Sequence, residues 1–102
     1  MLELRPTCEN CNKTLGPEAL DARICSFECT FCEACVGTVL DNVCPNCGGG
    51  FAPRPIRPSR NWKGENSLGK YPAGTKVTHR PVDHASHARF AAAIKVVPPQ
   101  QR

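Results

Sequence analysis

The sequence predicts a small metal-stabilised α+β domain followed by an irregular basic extension that ends in a short helix. Three observations carry this expectation. The chain has 102 residues, and a unit of roughly 40 to 60 residues buries too little apolar surface to fold with much margin unaided. All eight cysteines (Cys8, Cys11, Cys25, Cys29, Cys32, Cys35, Cys44 and Cys47) fall within the first 47 residues. Six of them form C-x2-C pairs, the spacing at which a tight turn brings two sulfurs to one side.

The elements follow from local pattern. Residues 1–48 form the cysteine-bearing head, with a loop at 8–11, short extended segments near 22–31, and a helix from about Cys32 through EACVGTVL. Gly37 weakens that helix, so it is short and depends on its metal. Residues 49–60 carry glycines and then Pro53, Pro55 and Pro58. Such a composition gives a linker, or an extended strap lying on the head. Residues 61–102 are a basic extension in which Trp62, Leu68 and Tyr71 are the few anchoring groups. A helix is expected over about 83–97, with Asp83 as N-cap, alanines within, and Pro98 and Pro99 as the stop. Phe90, Ile94 and Val97 would form its apolar stripe.

Charge divides the chain in the same place. Residues 1–47 hold three basic and seven acidic side chains; residues 48–102 hold ten basic and two acidic. Thiolates around divalent ions would make the head more acidic still. The start, MLELRPTCEN, lacks the basic-then-apolar pattern of a secretory signal, and no apolar run is long enough to span a membrane. A cytoplasmic, reducing location is therefore expected, where paired cysteines bind metal more often than they form disulfides.

Cys32 and Cys35 stand at i and i+3 and share a face in the first turn of a helix, whose dipole favours thiolates there. A knuckle plus a helix start is the ligand arrangement of a treble clef. It assigns Cys8, Cys11, Cys32 and Cys35 to one zinc and leaves Cys25, Cys29, Cys44 and Cys47 for a second, so two Zn2+ are expected. A sequential pairing, first four cysteines on one ion and last four on another, is the competing arrangement. A disulfide framework is a further alternative. An iron–sulfur reading of Cys29, Cys32 and Cys35 needs a fourth cysteine three residues on, followed by proline. Here Cys44-Pro45 comes only after eight residues.

The motifs CENC, CSFEC, CEAC and CPNC, with first pair matched to third and second to fourth, resemble the cross-brace of all-cysteine RING-type zinc fingers over residues 4–50. The whole chain, through ARICSFECTFC, VCPNCGG, NWKG and HRPVD, also resembles a family of small bacterial cysteine-rich proteins of unknown function.

These features bound the function. Zinc held by four thiolates has no open position for water, and no cysteine is left as a nucleophile. His79, His84 and His87 lie in the tail without a convincing partner carboxylate or nucleophile, and read as a solvated polar face. Intrinsic catalysis and a small-molecule substrate are not indicated. A protein-interaction adaptor is the leading expectation. The RING resemblance implies, as an alternative, a ubiquitin-ligase-like scaffold recruiting a conjugating enzyme through Val36, Val39, Leu40 and Pro45. Against it, Glu9 and Asn10 fill the first knuckle, VGTVLDNV holds no aromatic residue, and Gly48 follows the final cysteine. The basic tail offers a nucleic-acid alternative through Arg54, Arg57, Arg60, Lys63 and Lys70, with Trp62 and Tyr71 to stack bases. Its rival is a basic strap wrapping the acidic head.

Overall fold

A computed structural model describes residues 1–102. Two short strands, β1 (Ala22–Ile24) and β2 (Thr30–Cys32), form an antiparallel hairpin pairing Ala22 with Cys32 and Ile24 with Thr30. The hairpin loop holds Cys25 and Cys29. It closes through the Glu28 N–H on the Cys25 carbonyl, with Glu28 in the left-handed region at φ 66°. A third strand, β3 (Ala52–Pro53), pairs antiparallel with the other side of β1, giving the order β2-β1-β3. Pro53 has no N–H to donate, and an edge strand is where a sheet tolerates that loss.

β2 runs directly into α1 (Glu33–Cys35), with Cys32 as its extended N-cap residue. The helix continues as a wider π turn over Val36–Leu40 and ends where Asp41 and Asn42 both adopt positive φ. Gly37 packs against nothing, so nothing in the fold requires its missing side chain. The large wholly buried apolar side chains Phe31, Leu15 and Leu40 sit with the cysteines, and Phe51 meets Phe31 edge-on at 5.4 Å.

The extension wraps this head. α2 (His84–Ala91) is shorter than the expected 83–97 span: Asp83 caps it by accepting the Ser86 N–H at 2.8 Å. Beyond Ala91 the backbone tightens, with Ile94 N–H on the Ala91 carbonyl at 2.9 Å and Val97 N–H on that of Ile94. The expected Phe90–Ile94–Val97 stripe is also displaced. His87 and Ala91 are the buried positions and Phe90 is 46% exposed. The physical reason is polar: the His87 ring reaches the Leu40 carbonyl at 2.9 Å and turns that face of the helix inward. Phe90 and Ile94 then lie over Gly48, whose φ is +78°. No helix is long and apolar enough to cross a membrane.

Candidate metal centre

The first sulfur cluster joins a loop to the start of a helix. In CENC the Cys8 N–H donates to Lys13 and the Asn12 N–H returns to Cys8, each at 2.9 Å. That tight turn aims the Cys11 N–H at the Cys8 sulfur. Cys32 ends β2 and Cys35 lies one helical turn on. The Sγ atoms of Cys8, Cys11, Cys32 and Cys35 all lie within 4.8 Å of one another. Cys11 and Cys32 are 3.8 Å apart. A tetrahedral zinc with Zn–S bonds of about 2.3 Å sets a sulfur–sulfur edge of about 3.8 Å, so this donor set fits the ion.

The second cluster gathers Cys25, Cys44 and Cys47 within the same 4.8 Å limit. The Phe27 N–H points at the Cys25 sulfur and the Gly49 N–H at that of Cys47, both at 3.4 Å. Cys29 is not one of the three. Its sulfur instead accepts a hydrogen bond from Asn46 Nδ2 at 3.4 Å, and Asn46 lies inside the Cys44–Cys47 knuckle. The clusters thus join the first pair to the third, and Cys25 of the second pair to the fourth, which is not the sequential grouping.

All eight cysteines are free of disulfides. Burial pushes the thiols of Cys29, Cys32 and Cys44 above the ordinary range, and that of Cys35 up to about 12. Like charge on adjacent sulfurs works in the same direction. Cys11 differs: burial also opposes its ionisation, but hydrogen bonds from the Lys13 backbone and from Cys8 hold it below the ordinary value. Sulfurs packed this closely cannot all ionise unless a cation compensates them.

Two asparagines act at the sulfurs, and neither stood among the expected site residues. Asn10 Nδ2 donates to Cys35 at 3.2 Å, while Asn46 Nδ2 donates to Cys29. Each asparagine precedes the last cysteine of its knuckle, in CENC and CPNC, and reaches a sulfur of the pair opposite. The repeated Asn-Cys dipeptide was the available signal. Glu9 was also missed. It is only 2% exposed, and its carboxylate accepts from the Thr30 N–H and from Arg5 at 2.9 Å. A buried charge so satisfied locks the first knuckle onto β2.

The expected partner surfaces fare differently. Leu40 is wholly buried, so it cannot line a groove, and Val36 and Val39 pack partly against the core. Pro45 is half-buried and faces a cleft that the tail crosses. Arg54 is 4% exposed and donates to the carbonyls of Arg5, Leu15 and Gly16. Burial lowers its guanidinium from the ordinary value. Arg57 donates to the carbonyls of Leu2 and Tyr71 at 2.7 Å each. These two arginines are spent on backbone, because the strap turns them onto carbonyls of the loops before β1 and of the extension. Arg60, Trp62, Lys63 and Lys70 are exposed, and Tyr71 is half-buried beneath Lys70. The three histidines do not converge: His79 faces Asn10, His87 faces Leu40, and His84 is exposed.

Residues 1–57 match the model of a family described as "Protein of unknown function (DUF1272)". The chain is also similar to "Uncharacterized protein R02474" of Rhizobium meliloti (strain 1021). The two are 49% identical over 81 residues, which cover 79% of this chain and 89% of the relative. No solved structure matches.

Proposed function

We propose that this chain, which belongs to the DUF1272 family, is a cytoplasmic RING-like module in which two structural zinc ions hold a scaffold for protein–protein contact. Cys8, Cys11, Cys32 and Cys35 hold the first ion; Cys25, Cys29, Cys44 and Cys47 hold the second. The observation that carries this reading is the matched geometry of the two knuckles. Each closes one sulfur cluster and sends an asparagine amide to a sulfur of its opposite pair. The Asn46 contact supports placing Cys29 with the second ion.

Four thiolates per ion leave no position for water or substrate, so the metals supply folding energy and not reactivity. In model fingers such sites contribute on the order of 10–16 kcal/mol. The head then presents a fixed surface, and adaptor work is the use that such a surface supports. The test compares zinc-loaded chain with chelated chain. Elemental analysis should return two zincs per chain. Chelation should collapse the dispersed amide spectrum, and crosslinking capture should retain a partner only on the loaded form. Fewer than two zincs, or equal capture by both forms, defeats the proposal.

A further inference from the structure

The tail does not simply lie on the head; residues 79–87 are seated in the space between the two knuckles. The Arg80 N–H donates to the Glu9 carbonyl and the Val82 N–H to Asn10 Oδ1, both at 2.8 Å. The His79 ring meets the Asn10 carbonyl at 3.1 Å, and His87 reaches the Leu40 carbonyl. Pro81 stands between the two donating residues, so its missing N–H costs no bond and its ring favours an extended path. The Arg80 guanidinium lies 3.8 Å from the Glu9 carboxylate, and Val82 packs partly against the core.

This is how a docking site holds a peptide: alternate backbone donors, one apolar side chain, one opposite charge. The seat is incompletely filled. A cleft of about 320 Å³ remains between tail and head, bordered by Glu9, Phe31, Pro45 and Asn46 on the head and Val82 and Phe90 on the tail. The seated segment is bounded by exposed chain. Residues 75–77 before it are exposed, Arg80 itself is largely exposed, and the Lys95–Asp41 pair beyond it is 3.8 Å apart and half-exposed.

We propose that this inter-knuckle cleft is a peptide-docking site, closed in cis by residues 79–87, that accepts from a partner protein an extended basic-Pro-aliphatic-Asp segment leading into a short helix. The occupant's chemistry is read from the segment now seated there and from the acidity of the head that receives it. The inference rests on the adaptor reading and supplies its contact surface. Asn10 links the surface to the metal centre, because one side chain donates to the Cys35 sulfur and accepts from the docked backbone.

The test uses the full zinc-loaded chain and a labelled synthetic peptide spanning residues 77–97, followed by fluorescence anisotropy. In the R80E/H87A variant the cis segment loses its charge contact and its buried ring. The peptide should then bind at least about tenfold more tightly than to wild type, where the tethered tail competes at high effective concentration. A peptide carrying Arg80→Glu, which leaves the protein untouched, should lose that binding. Failure of the peptide to bind the variant, or equal binding of the altered peptide, overturns the docking site. Tail-dependent dimers seen by light scattering would place a second copy in the cleft and overturn the partner assignment. Zinc content of the same samples separates the two claims: two zincs with no peptide binding removes the docking site alone, whereas missing zinc removes the reading beneath it.

Discussion

Residues 1–48 and residues 61–102 differ in what is inside them. The head's interior is sulfur and a few large apolar groups, with Phe31, Leu15 and Leu40 packed among buried cysteines. Of nineteen buried residues in the chain, only four lie beyond residue 50, and three of those, Arg54, Ser67 and His87, are polar. The extension therefore has no core of its own. It is held by donors aimed at the head's carbonyls: Arg54 and Arg57 in the strap, His87 on α2, and Arg102 on Asn42 and Gly48. The difference teaches that order in this chain is hierarchical. The head closes around its sulfur clusters; the extension closes on the head.

The largest expected effect breaks the head. Cys32→Ser removes a ligand of the first site at the end of β2, the strand whose other end follows Cys29 directly. Because the pairs interleave, both ions should be lost and the amide spectrum of the whole chain should collapse. Cys47→Ser, at an exposed corner of the second site, should retain more metal. Elemental analysis and NMR on both variants check this. A Cys32→Ser chain that keeps one full zinc equivalent and an ordered second site would show that the two sites fold independently.

A smaller effect separates strap from head. Arg54→Ala removes one guanidinium from three backbone carbonyls, the buried one of Leu15 among them, at a cost of about 2–3 kcal/mol. Arg54→Lys should recover little of it, since an ammonium cannot reproduce the planar fork. Denaturant titration of the zinc-loaded protein measures both, and zinc content should stay at the wild-type value. Loss of zinc in Arg54→Ala would mean that strap and metal sites are one cooperative unit.

How much of this was legible in the sequence follows the same division. Cysteine spacing announces the two sulfur clusters because the geometry that gathers sulfurs is local and stereotyped: C-x2-C needs one turn, and Cys32 and Cys35 need one helical step. The extension was hard to read because its contacts depend on where the head presents free carbonyls, which no periodicity encodes. Arg54 and Arg57 looked like phosphate binders in a basic run, yet they face inward. The α2 stripe was misplaced for a related reason. Hydrophobic spacing favoured Phe90, whereas a histidine hydrogen bond chose the buried face. Glu9, in the first knuckle, looked like a missing apolar contact and is instead a satisfied buried carboxylate.

The smallest effect tests the extension alone. Asp83 caps α2, and the Ser86 backbone N–H holds its carboxyl below the ordinary carboxylate range. A group with a depressed folded value stabilises the fold above its unfolded value of about 3.9, and that contribution is lost as pH falls through the lower folded value. The cap should therefore be fully present at neutral pH and fade only on strong acidification. Asp83→Asn keeps an acceptor at the cap, so its α2 amide protection at neutral pH should stay close to that of wild type. Asp83→Ala should loosen α2 at every pH while the head's amides stay protected. Hydrogen exchange resolved by residue reads both. Loss of α2 protection in Asp83→Asn at neutral pH, or loss of head protection in Asp83→Ala, would contradict a tail that is ordered by the head without ordering it in return.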